Sequence, residues 1–341
     1  MLVAERMARA IPGRATYEAA PNIALLKYWG NRDPELALPC NSSLSVTLDR
    51  LRTRTTVSFD RSRSQDRFVL NGALQSGGPF SAVSHFLDRV RDAAGIAAHA
   101  DVRSTNNFPT ASGMASSASG FAALAGASTA AAGLELSERA LSQLARCGSG
   151  SASRSIFGGF VEWRAGTRTD GRDCYARMLH PPRYWPSFRD LVLLIDAAPT
   201  KSVRSSEAMQ TTVRTSPYFA QRQRELPSRT RKMARAIRDR DAAKLFPLVM
   251  EECDSFRNVC ETTVPSLDYL TPSSRAVIAE VRTLNDEAHR PVAAYTHDAG
   301  AHLHVFLLAP DVASVRRRLG RIPGVRRTLV LRPGPGGRRR A

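Results

Sequence analysis

A run of small and hydroxyl-bearing residues organises the middle of this chain: Pro109-Thr110-Ala111-Ser112-Gly113-Met114-Ala115-Ser116-Ser117-Ala118-Ser119-Gly120. It follows a predicted strand, Val102 to Asn106, and leads into an alanine-rich segment to about Ala132 that we predict to be a buried helix. The first N–H groups of a helix lack intrahelical partners and lie at the positive end of its dipole, so such a helix start suits a phosphate chain. The run has no Gly-Lys-Ser/Thr and is therefore not a Walker A loop. A tightly packed helix crossing is the alternative explanation for so many small residues.

Strands and helices are predicted on both sides of this run, and composition changes near Pro181, Pro182 and Pro186. We place a domain boundary there, which gives domains 1–185 and 186–332 and a basic, mobile tail 333–341. The predicted strands are Thr16 to Leu26, Asn41 to Leu48, Arg52 to Phe59, Phe68 to Leu70, Val102 to Asn106, Ile156 to Arg164, Leu191 to Ile195, Val292 to Thr296, His302 to Leu308 and Arg327 to Leu331. Besides the alanine-rich helix, the predicted helices are Phe80 to Ala97, a helix capped by Ser137 that ends at Arg146, Ser228 to Arg240, Ala242 to Cys253 and Val312 to Leu319. The sum is a two-domain α+β protein.

Composition excludes several classes of protein. The chain has 341 residues, 43% of them hydrophobic, which is enough for a full core and excludes wholesale disorder. No apolar run approaches the length of about 18 residues that a membrane helix needs. The formal net charge of +18 favours polyanions or phosphorylated metabolites as ligands. A nucleic-acid-binding protein is the alternative from a different class, but the chain lacks interleaved aromatic and basic residues and any recognised binding module.

The cysteines and the N-terminus favour a cytoplasmic location. The cysteines are Cys40, Cys147, Cys174, Cys253 and Cys260. They are odd in number and form no Cys-X-X-Cys pair, so neither a disulfide framework nor a zinc ribbon is predicted. The segment Met1 to Gly13 lacks the apolar core of a secretory signal, and a frayed start is favoured over a transit-like arm.

Two further stretches have residue types that suit binding of anions. Gly148 to Ser155 places hydroxyls and freed amides at a predicted helix start and includes Arg154, whose planar fork suits a carboxylate or a phosphate. Asn22 to Asp33 sets Lys27, a rare lysine in this arginine-rich chain, beside two aromatic residues and a glycine.

A last stretch, Thr296 to Gly300, puts Asp298 on a turn at the edge of a strand. The nearby histidines are His297, His302 and His304. We interpret them as ordinary strand residues, because no cysteine or acidic partner completes a set of metal ligands.

Together these stretches closely resemble the diphosphomevalonate decarboxylases of the GHMP kinase superfamily. The matching segments, in family order from Asn22 to about His302, are NIALLKYWGNRD, LPCNSSLSVTLD, FPTASGMASSASGFAALA, RCGSGSASRSIFGGFVEW, KSVRSSEAMQTTVRTS and YTHDAGAH. The resemblance implies a two-domain GHMP kinase fold. Its N-terminal ATP-binding domain would be of the ribosomal protein S5 domain 2-like type and its C-terminal domain ferredoxin-like, with ATP and substrate in the cleft between them.

The resemblance also implies a lyase of the mevalonate pathway of isoprenoid biosynthesis that uses ATP and Mg²⁺. Members of the family phosphorylate the tertiary 3-hydroxyl of 5-diphosphomevalonate, and the product then loses phosphate and CO2 to give isopentenyl diphosphate. This order is chemically coherent, because phosphorylation improves a poor leaving group and decarboxylation supplies the electrons of the alkene. Carbocation-like charge develops as the phosphate departs, so nearby anions favour that step. A homodimer is also common in the family.

The resemblance assigns roles to individual residues. The catalytic residues are Asp298, which orients or deprotonates the 3-hydroxyl, Lys27, which neutralises charge and poises Asp298, and Arg154, which grips the substrate carboxylate. The substrate side is lined by Tyr28, Trp29, Gly30, Asn31, Ser149, Gly150, Ser151 and Ser206. The ATP-binding residues are Asn22, Ser112, Gly113, Met114, Ala115, Ser116, Ser117 and Ser119, and Ser116 is also the candidate ligand of Mg²⁺.

Three positions depart from the family pattern. Asn31 replaces a second lysine that helps hold the 5-diphosphate, and losing one charge-assisted contact costs about 1.5–3 kcal/mol. Related archaeal and Chloroflexi enzymes without this lysine convert 5-phosphomevalonate to isopentenyl phosphate, so that activity is the alternative, unless Arg32 or Arg204 supplies the missing charge. Ala301-His302 replaces the usual Pro-Asn, which predicts a different position for the loop of Asp298, and Arg204 stands where a serine is common. A kinase that never decarboxylates agrees less well with the three retained catalytic side chains.

Overall fold

The computed structural model describes residues 13–108, 116–196 and 205–340. The strands in these ranges are β1 (Arg14–Ala19), β2 (Asn22–Leu26), β3 (Asn31–Asp33), β4 (Leu38–Pro39), β5 (Ser43–Thr47), β6 (Thr53–Asp60), β7 (Arg67–Leu70), β8 (Ala73–Leu74), β9 (His99–Asn106), β10 (Phe160–Trp163), β11 (Ala176–His180), β12 (Phe188–Ile195), β13 (Ala293–His297), β14 (Leu303–Leu308), β15 (Val325–Leu331) and β16 (Arg338–Arg340). The α-helices are α1 (Gly77–Ala94), α2 (Ser116–Ala131), α3 (Glu138–Gly148), α4 (Ala152–Ser155), α5 (Ser205–Thr215), α6 (Phe219–Asp239), α7 (Ala242–Glu261), α8 (Pro272–Glu287) and α9 (Val312–Leu319). None of these helices combines the length and apolarity needed to cross a bilayer.

The alanine-rich helix α2 lies on a six-stranded sheet of order β16-β1-β6-β9-β7-β8. It contacts β1 and β6 through a buried surface of alanine, serine, threonine and glycine with a single leucine. Small side chains let the helix approach the sheet closely, and at Gly126 a Cβ would lie 2.4 Å from Cγ of the Tyr17 ring on β1. Tight packing therefore explains the small residues in the body of α2. The first turn of the helix differs, because Ser117 is exposed there and Ser116 is only half-buried.

A second sheet of the N-terminal domain contains β2, the strand that directly precedes Lys27. It has the order β11-β10-β5-β2 and all its neighbours are antiparallel. The edge strand β2 is buried along its whole length because it also contacts α7 from the second half of the chain. Ile23 on β2 and Val46 on β5 belong to the same apolar core cluster as Phe246 on α7 and Phe306 on β14. This shared core holds the end of β2 against the second domain.

The C-terminal domain is a four-stranded antiparallel sheet of order β13-β14-β12-β15 covered by helices. Strand β12 is followed by helices, then by the hairpin β13-β14, then by α9 and β15. This sequence of elements and this strand order match the predicted ferredoxin-like domain, and the α+β class is confirmed. Helices α7 and α8 pack on β13, whose end carries Asp298. The domain boundary predicted at 185/186 lies between β11 and β12 and stays a prediction.

The segment that was predicted to be a mobile tail instead forms a strand against the N-terminal domain. Residues Arg338–Arg340 form β16, which pairs antiparallel with β1, and the Gly334 N–H donates to the Thr47 carbonyl at 2.7 Å. Strand β1 would otherwise be a sheet edge with unpaired backbone groups. Its Glu18 carboxylate is also nearly buried and accepts a 2.7 Å hydrogen bond from Arg340 Nε. The basic residues are therefore partners of a buried carboxylate and an open edge.

The helices α5 and α8 lie outside the predicted set, and α6 begins at Phe219 rather than at 228. Pro227 lies inside α6. Because proline is common at the first position of a helix, its presence led to a predicted start at 228, which is wrong. For α8 a sequence signal was present: Thr271 caps the helix, a proline follows it, and Ser274 completes a capping box.

Gly126→Ala is expected to lower the free energy of unfolding by about 1–3 kcal/mol, because the new methyl group overlaps the Tyr17 ring. Gly120→Ala in the same helix is the control: a Cβ there meets nothing within 4 Å, and the gain in helix propensity, up to about 1 kcal/mol, should be stabilising. Urea denaturation of both variants gives the comparison. Equal stabilisation by the two alanines would contradict the close approach of α2 to β1.

Candidate active site

An ion pair between Lys27 and Asp298 lies where the two domains meet. Lys27 follows β2 directly and Asp298 follows β13 directly, so each side chain leaves the end of a buried strand. Lys27 Nζ lies 2.8 Å from Asp298 Oδ1, with the lysine side chain 4% exposed and the aspartate 26% exposed. The aspartate thus keeps a path to solvent, or to a ligand, that the lysine lacks.

The charge of Lys27 keeps Asp298 ionised. Burial by itself would raise the pKa of this carboxyl, but the ammonium group beside it reverses the effect and holds the pKa below its usual range. His304 and Arg154 lower it further. Asp298 is therefore a carboxylate at neutral pH and can accept a hydrogen bond from a hydroxyl group.

The loop that follows Asp298 is held from several sides. The Asp298 carbonyl accepts the Gly300 N–H at 2.7 Å, and His297 Nδ1 lies 2.8 Å from the same oxygen. The Ala301 carbonyl accepts a 2.7 Å hydrogen bond from Ser274 Oγ on α8, and His302 Nδ1 accepts the backbone N–H of Ile195 at 3.1 Å. The sequence change to Ala301-His302 is accommodated by these contacts with α8 and β12.

Each of the three histidines near this loop has a structural partner. Burial, followed by the charge of Lys27, lowers the pKa of His297 to about 4, so this ring is neutral. His304 Nδ1 lies 2.7 Å from Asp190 Oδ2 in a buried pair. Over the described ranges, no three His, Cys, Asp or Glu side chains converge into a metal site.

Arg154, in the short helix α4, is a buried cation with neutral partners. Its Nε donates to Asn22 Oδ1 at 2.9 Å and its Nη1 donates to Ser43 Oγ at 2.7 Å, while the side chain is only 3% exposed. Burial lowers its pKa to about 10, against opposing effects of Asp298 and Tyr28, so it stays protonated at neutral pH. Asn22 and Ser43 supply no negative charge, so their hydrogen bonds leave the guanidinium free to attract an anionic ligand.

The side-chain amide of Asn22 is bonded to the segment that carries Arg154. It is 1% exposed, and its Nδ2 donates to the Ser151 carbonyl at 3.1 Å and to Ser155 Oγ at 2.8 Å, while its Oδ1 accepts from Arg154. All of its amide hydrogen bonds therefore serve the segment that carries Arg154. Its assignment as an ATP ligand stays a prediction.

Tyr28, Asn31 and Gly150, which are assigned to the substrate side from the sequence, lie close together. The Tyr28 ring packs edge-on against Trp163 with centroids 4.7 Å apart, and a Cβ at Gly150 would lie 2.7 Å from that tyrosine. The Tyr28 hydroxyl donates to Asn31 Oδ1, and burial raises the tyrosine pKa, so the hydroxyl keeps its proton. Nearby, Ser149 Oγ and Ser151 Oγ lie 3.3 Å apart.

Trp29 and Gly30 pack against the second domain. The Trp29 Nε1–H donates to Thr212 Oγ1 at 3.1 Å, and its ring packs on Phe256 with centroids 5.0 Å apart. Gly30 has a φ of 102°, and a Cβ there would lie 2.7 Å from the ring of Phe219. These two residues of the predicted substrate side thus contact α5, α6 and α7.

At the predicted ATP site, Ser116 is half-buried and Ser117 is exposed in the first turn of α2. Ser119 is fully buried and its hydroxyl lies 2.7 Å from Thr53 Oγ1, so its side chain faces the sheet. Its assignment to ATP stays a prediction. The residues 112–115 of the same prediction lie outside the described ranges.

Two arginines and a serine complete the predicted set. Arg32 is exposed, and its Nη2 donates to the carbonyls of Ala165 at 3.2 Å and Arg168 at 3.1 Å. Ser206 is exposed in the first turn of α5, and Arg204 lies outside the described ranges.

Sequence reasoning missed several residues behind the ion pair. These are Ser43 and Ser155, which hold Arg154 and its partner, and Asn41, Arg222 and Glu252, which bind the backbone of Lys27. Ser43, Ser155 and Asn41 lie inside the motifs already identified. Arg222 and Glu252 had only a weak signal, since charged residues on a helix usually face water.

Known proteins resemble this chain over most of its length. A family model described as "Diphosphomevalonate decarboxylase-like N-terminal domain" matches residues 19–176, and one described as "Mevalonate 5-diphosphate decarboxylase C-terminal domain" matches residues 191–327. The diphosphomevalonate decarboxylase of Candida albicans is 41% identical over 327 residues, covering 91% of this chain and 90% of the relative. The human diphosphomevalonate decarboxylase is 40% identical over 314 residues, covering 87% and 78% of the two chains.

Solved structures agree with these relatives. A complex described as MDDEF with MVAPP, AMPPCP and magnesium has a TM-score of 0.89 at 36% identity and covers 96% of this chain and 98% of its own. The mevalonate diphosphate decarboxylase from Staphylococcus aureus has a TM-score of 0.90 at 33% identity, with the same coverage of 96% and 98%.

Lys27→Met is expected to raise the pKa of Asp298, because burial then acts on the carboxyl without the neighbouring ammonium group. A ¹³C NMR titration of aspartate-labelled protein measures this shift, with Asp298→Asn identifying the resonance. Lys244→Met is the matched control, since Lys244 pairs with Asp241 on the surface and should leave the Asp298 titration unchanged. An Asp298 titration that does not move in Lys27→Met would contradict the electrostatic role of Lys27.

Proposed function

Because the chain belongs to the diphosphomevalonate decarboxylase family, we propose that Asp298, Lys27 and Arg154 perform the ATP-dependent decarboxylation of 5-diphosphomevalonate. The products are isopentenyl diphosphate, ADP, phosphate and CO2. The observation that carries the assignment of roles is the 2.8 Å Lys27–Asp298 ion pair, which joins the two domains. Arg154 lies close enough to Asp298 for each to influence the other's pKa.

In the first step the 3-hydroxyl of the substrate donates a hydrogen bond to Asp298 and its oxygen attacks the γ-phosphorus of ATP, releasing ADP. The lowered pKa of Asp298 makes it a weak base, and phosphoryl transfer through a loose transition state makes little demand on one. Asp298 therefore acts mainly by orienting the hydroxyl and accepts its proton late. Lys27 stabilises the negative charge that gathers beside it.

In the second step the carbon–oxygen bond to the new phosphate breaks, and the phosphate leaves with the electron pair. The bond between the carboxylate carbon and its neighbour then supplies the electrons of the alkene, and CO2 is released. Arg154 holds the carboxylate through the donors that Asn22 and Ser43 leave unused. Once Asp298 has passed the proton that it accepted to the transferred phosphate or to water, its carboxylate is again anionic and favours the carbocation-like charge that develops as the phosphate departs.

ATP and Mg²⁺ are the cofactors of this reaction. The first turn of α2 fits a phosphate chain, since its N–H groups lack intrahelical partners and Ser116 and Ser117 add hydroxyls. With no cluster of His, Cys, Asp or Glu in the described part of the chain, Ser116 is the candidate protein ligand for Mg²⁺, alongside phosphate oxygens and water. When bound, the ion neutralises charge on the phosphates.

The relatives favour the diphosphate over the monophosphate as substrate, since those at 40–41% identity are named for the diphosphate. Asn31 nevertheless lacks the positive charge of the family lysine, and its side chain accepts the Tyr28 hydroxyl instead. We assign the 5-phosphate contacts to the segment from Tyr28 to Asn31 and to Ser149–Ser151, with Ser206 on α5 at the opposite side.

The cellular setting of the enzyme is proposed to be the cytoplasm, with the protein acting as a homodimer. All five cysteines are free thiols, which fits a reducing compartment. The homodimer rests on the resemblance to the family, and light scattering on the purified protein tests it. We propose no specific nucleic-acid partner.

Purified protein with ATP and Mg²⁺ is expected to release ADP and CO2 in equal amounts from 5-diphosphomevalonate, faster than from 5-phosphomevalonate. Asp298→Asn should lower kcat by about 10²–10⁴-fold, because an amide orients the hydroxyl poorly and accepts no proton. Coupled ADP release with trapping of CO2 measures both products. Preference for the monophosphate would contradict the substrate assignment, and near-normal turnover by Asp298→Asn would contradict the role of Asp298.

Arg154→Lys should lower kcat/KM for the mevalonate substrate by about 10–100-fold, because lysine keeps the charge and loses the fork held by Asn22 and Ser43. The KM for ATP should stay constant. Arg164→Lys is the control, since this exposed arginine lies 5.9 Å from the Tyr175 ring and touches none of the proposed site. Equal effects of the two substitutions would remove Arg154 from the substrate site.

A further inference from the structure

The backbone of Lys27 is bound by three side chains. Its N–H donates to Glu252 Oε1 at 3.1 Å, and its carbonyl accepts from Arg222 Nη2 at 3.2 Å and from Asn41 Nδ2 at 3.0 Å. Glu252 lies on α7 and Arg222 on α6, so two helices of the second domain hold both polar groups of one peptide segment of the first domain.

These two side chains are themselves paired and fully buried. Arg222 Nη2 also donates to Glu252 Oε1, and the two side chains are 1% and 0% exposed. The second carboxylate oxygen, Oε2, accepts from Arg229 Nη1 at 2.8 Å. Arg229 is shared with the more exposed Glu225 and Glu251. The charge of Arg222 is thus balanced by Glu252, and one arginine donor serves both this carboxylate and the Lys27 carbonyl.

Stability is a weak explanation for such an arrangement. Removing two charges from water costs several kcal/mol for each ion, and replacing a buried ion pair with apolar side chains is often neutral or stabilising. An apolar pair could fill the same space between α6 and α7. It could not donate to the Lys27 carbonyl or accept from the Lys27 N–H.

We infer that Arg222 and Glu252 are positioning residues for the reaction, which fix the peptide of Lys27 from the second domain and so hold its Nζ against Asp298. The inference rests on the proposed roles of Lys27 and Asp298. Lys27 follows the last residue of β2, where the regular ladder no longer orients the chain. Release of its backbone would let the ammonium group drift from the carboxylate, and a displacement of about 1 Å can cost on the order of 100-fold in rate.

The pH profile distinguishes positioning from a purely structural role. The charged or titratable groups around Asp298 include Lys27, Arg154, His304 and the adjacent His297, whose ring is neutral, and Lys27 has the largest lowering effect. Displacing Lys27 raises the pKa of Asp298, so the acid limb of kcat/KM moves to higher pH. A loss of stability that leaves Lys27 in place has no such effect.

The experiment compares Glu252→Gln and Arg222→Lys with the matched control Arg229→Met in the full-length enzyme. Arg229 touches the same carboxylate through Oε2 and has no contact with Lys27 in the described structure. We expect Glu252→Gln to lower kcat by about 10–100-fold and to move the acid limb to higher pH. Arg222→Lys should have a smaller effect of the same kind, since a lysine reaches only one of the two acceptors well. Arg229→Met should lower the melting temperature and leave the acid limb unchanged.

Each result decides the matter. Acid limbs at the wild-type pH in both Glu252→Gln and Arg222→Lys, with losses of stability like that of Arg229→Met, would overturn the positioning role. If Glu252→Gln does not fold, the milder Arg222→Lys gives the same comparison with Arg229→Met. Wild-type enzyme without ADP and CO2 release would instead contradict the proposed function, so the two failures are distinguishable.

Discussion

The contact between the Lys27 ammonium and the Asp298 carboxylate depends on the meeting of two strand ends from different domains. Neither residue can reach the other until β2 and β13 are held together, and that is achieved by the apolar core shared between Ile23 and Val46 on one side and Phe246 on the other. Hydrophobic burial thus supplies the non-directional force that joins the domains. The ion pair and the hydrogen bonds around it are directional and then define the geometry of the site.

The two buried arginines near this contact, Arg154 and Arg222, differ in whether a carboxylate is paired with them. Arg154 is buried among neutral donors and acceptors and keeps its attraction for a carboxylate, whereas the charge of Arg222 is matched by Glu252. An uncompensated buried cation is costly, and a protein accepts that cost where a ligand completes the pair. The other arginines divide in a similar way: some pair with buried carboxylates such as Glu18, and many are exposed.

Periodicity and turn residues predicted the α+β class, most strands and the helices with clear apolar faces. Two helix predictions failed at local signals, the proline inside α6 and the capping box of α8, whereas other features depend on partners far away in sequence. The last strand, Arg338–Arg340, forms because β1 offers an open edge and Glu18 lies beside it. Ser119 turns inward because Thr53 faces it from β6, and Asn22 is engaged by Arg154 across a sheet. No local pattern records such pairings.

The sequence by itself determined which chemical groups are present and where each stands along the chain: the family motifs, Lys27 at the end of one strand, Asp298 at the end of another, and Arg154 in a short polar turn. These are local properties, because they depend only on residue type and on spacing along the chain. Only the tertiary structure decided that Lys27 and Asp298 lie 2.8 Å apart, that Ser119 faces the sheet, and that Glu252 holds a backbone more than 200 residues away. Distances of this kind follow from packing of whole elements, because burial is set by the summed surfaces of both domains and by no single segment.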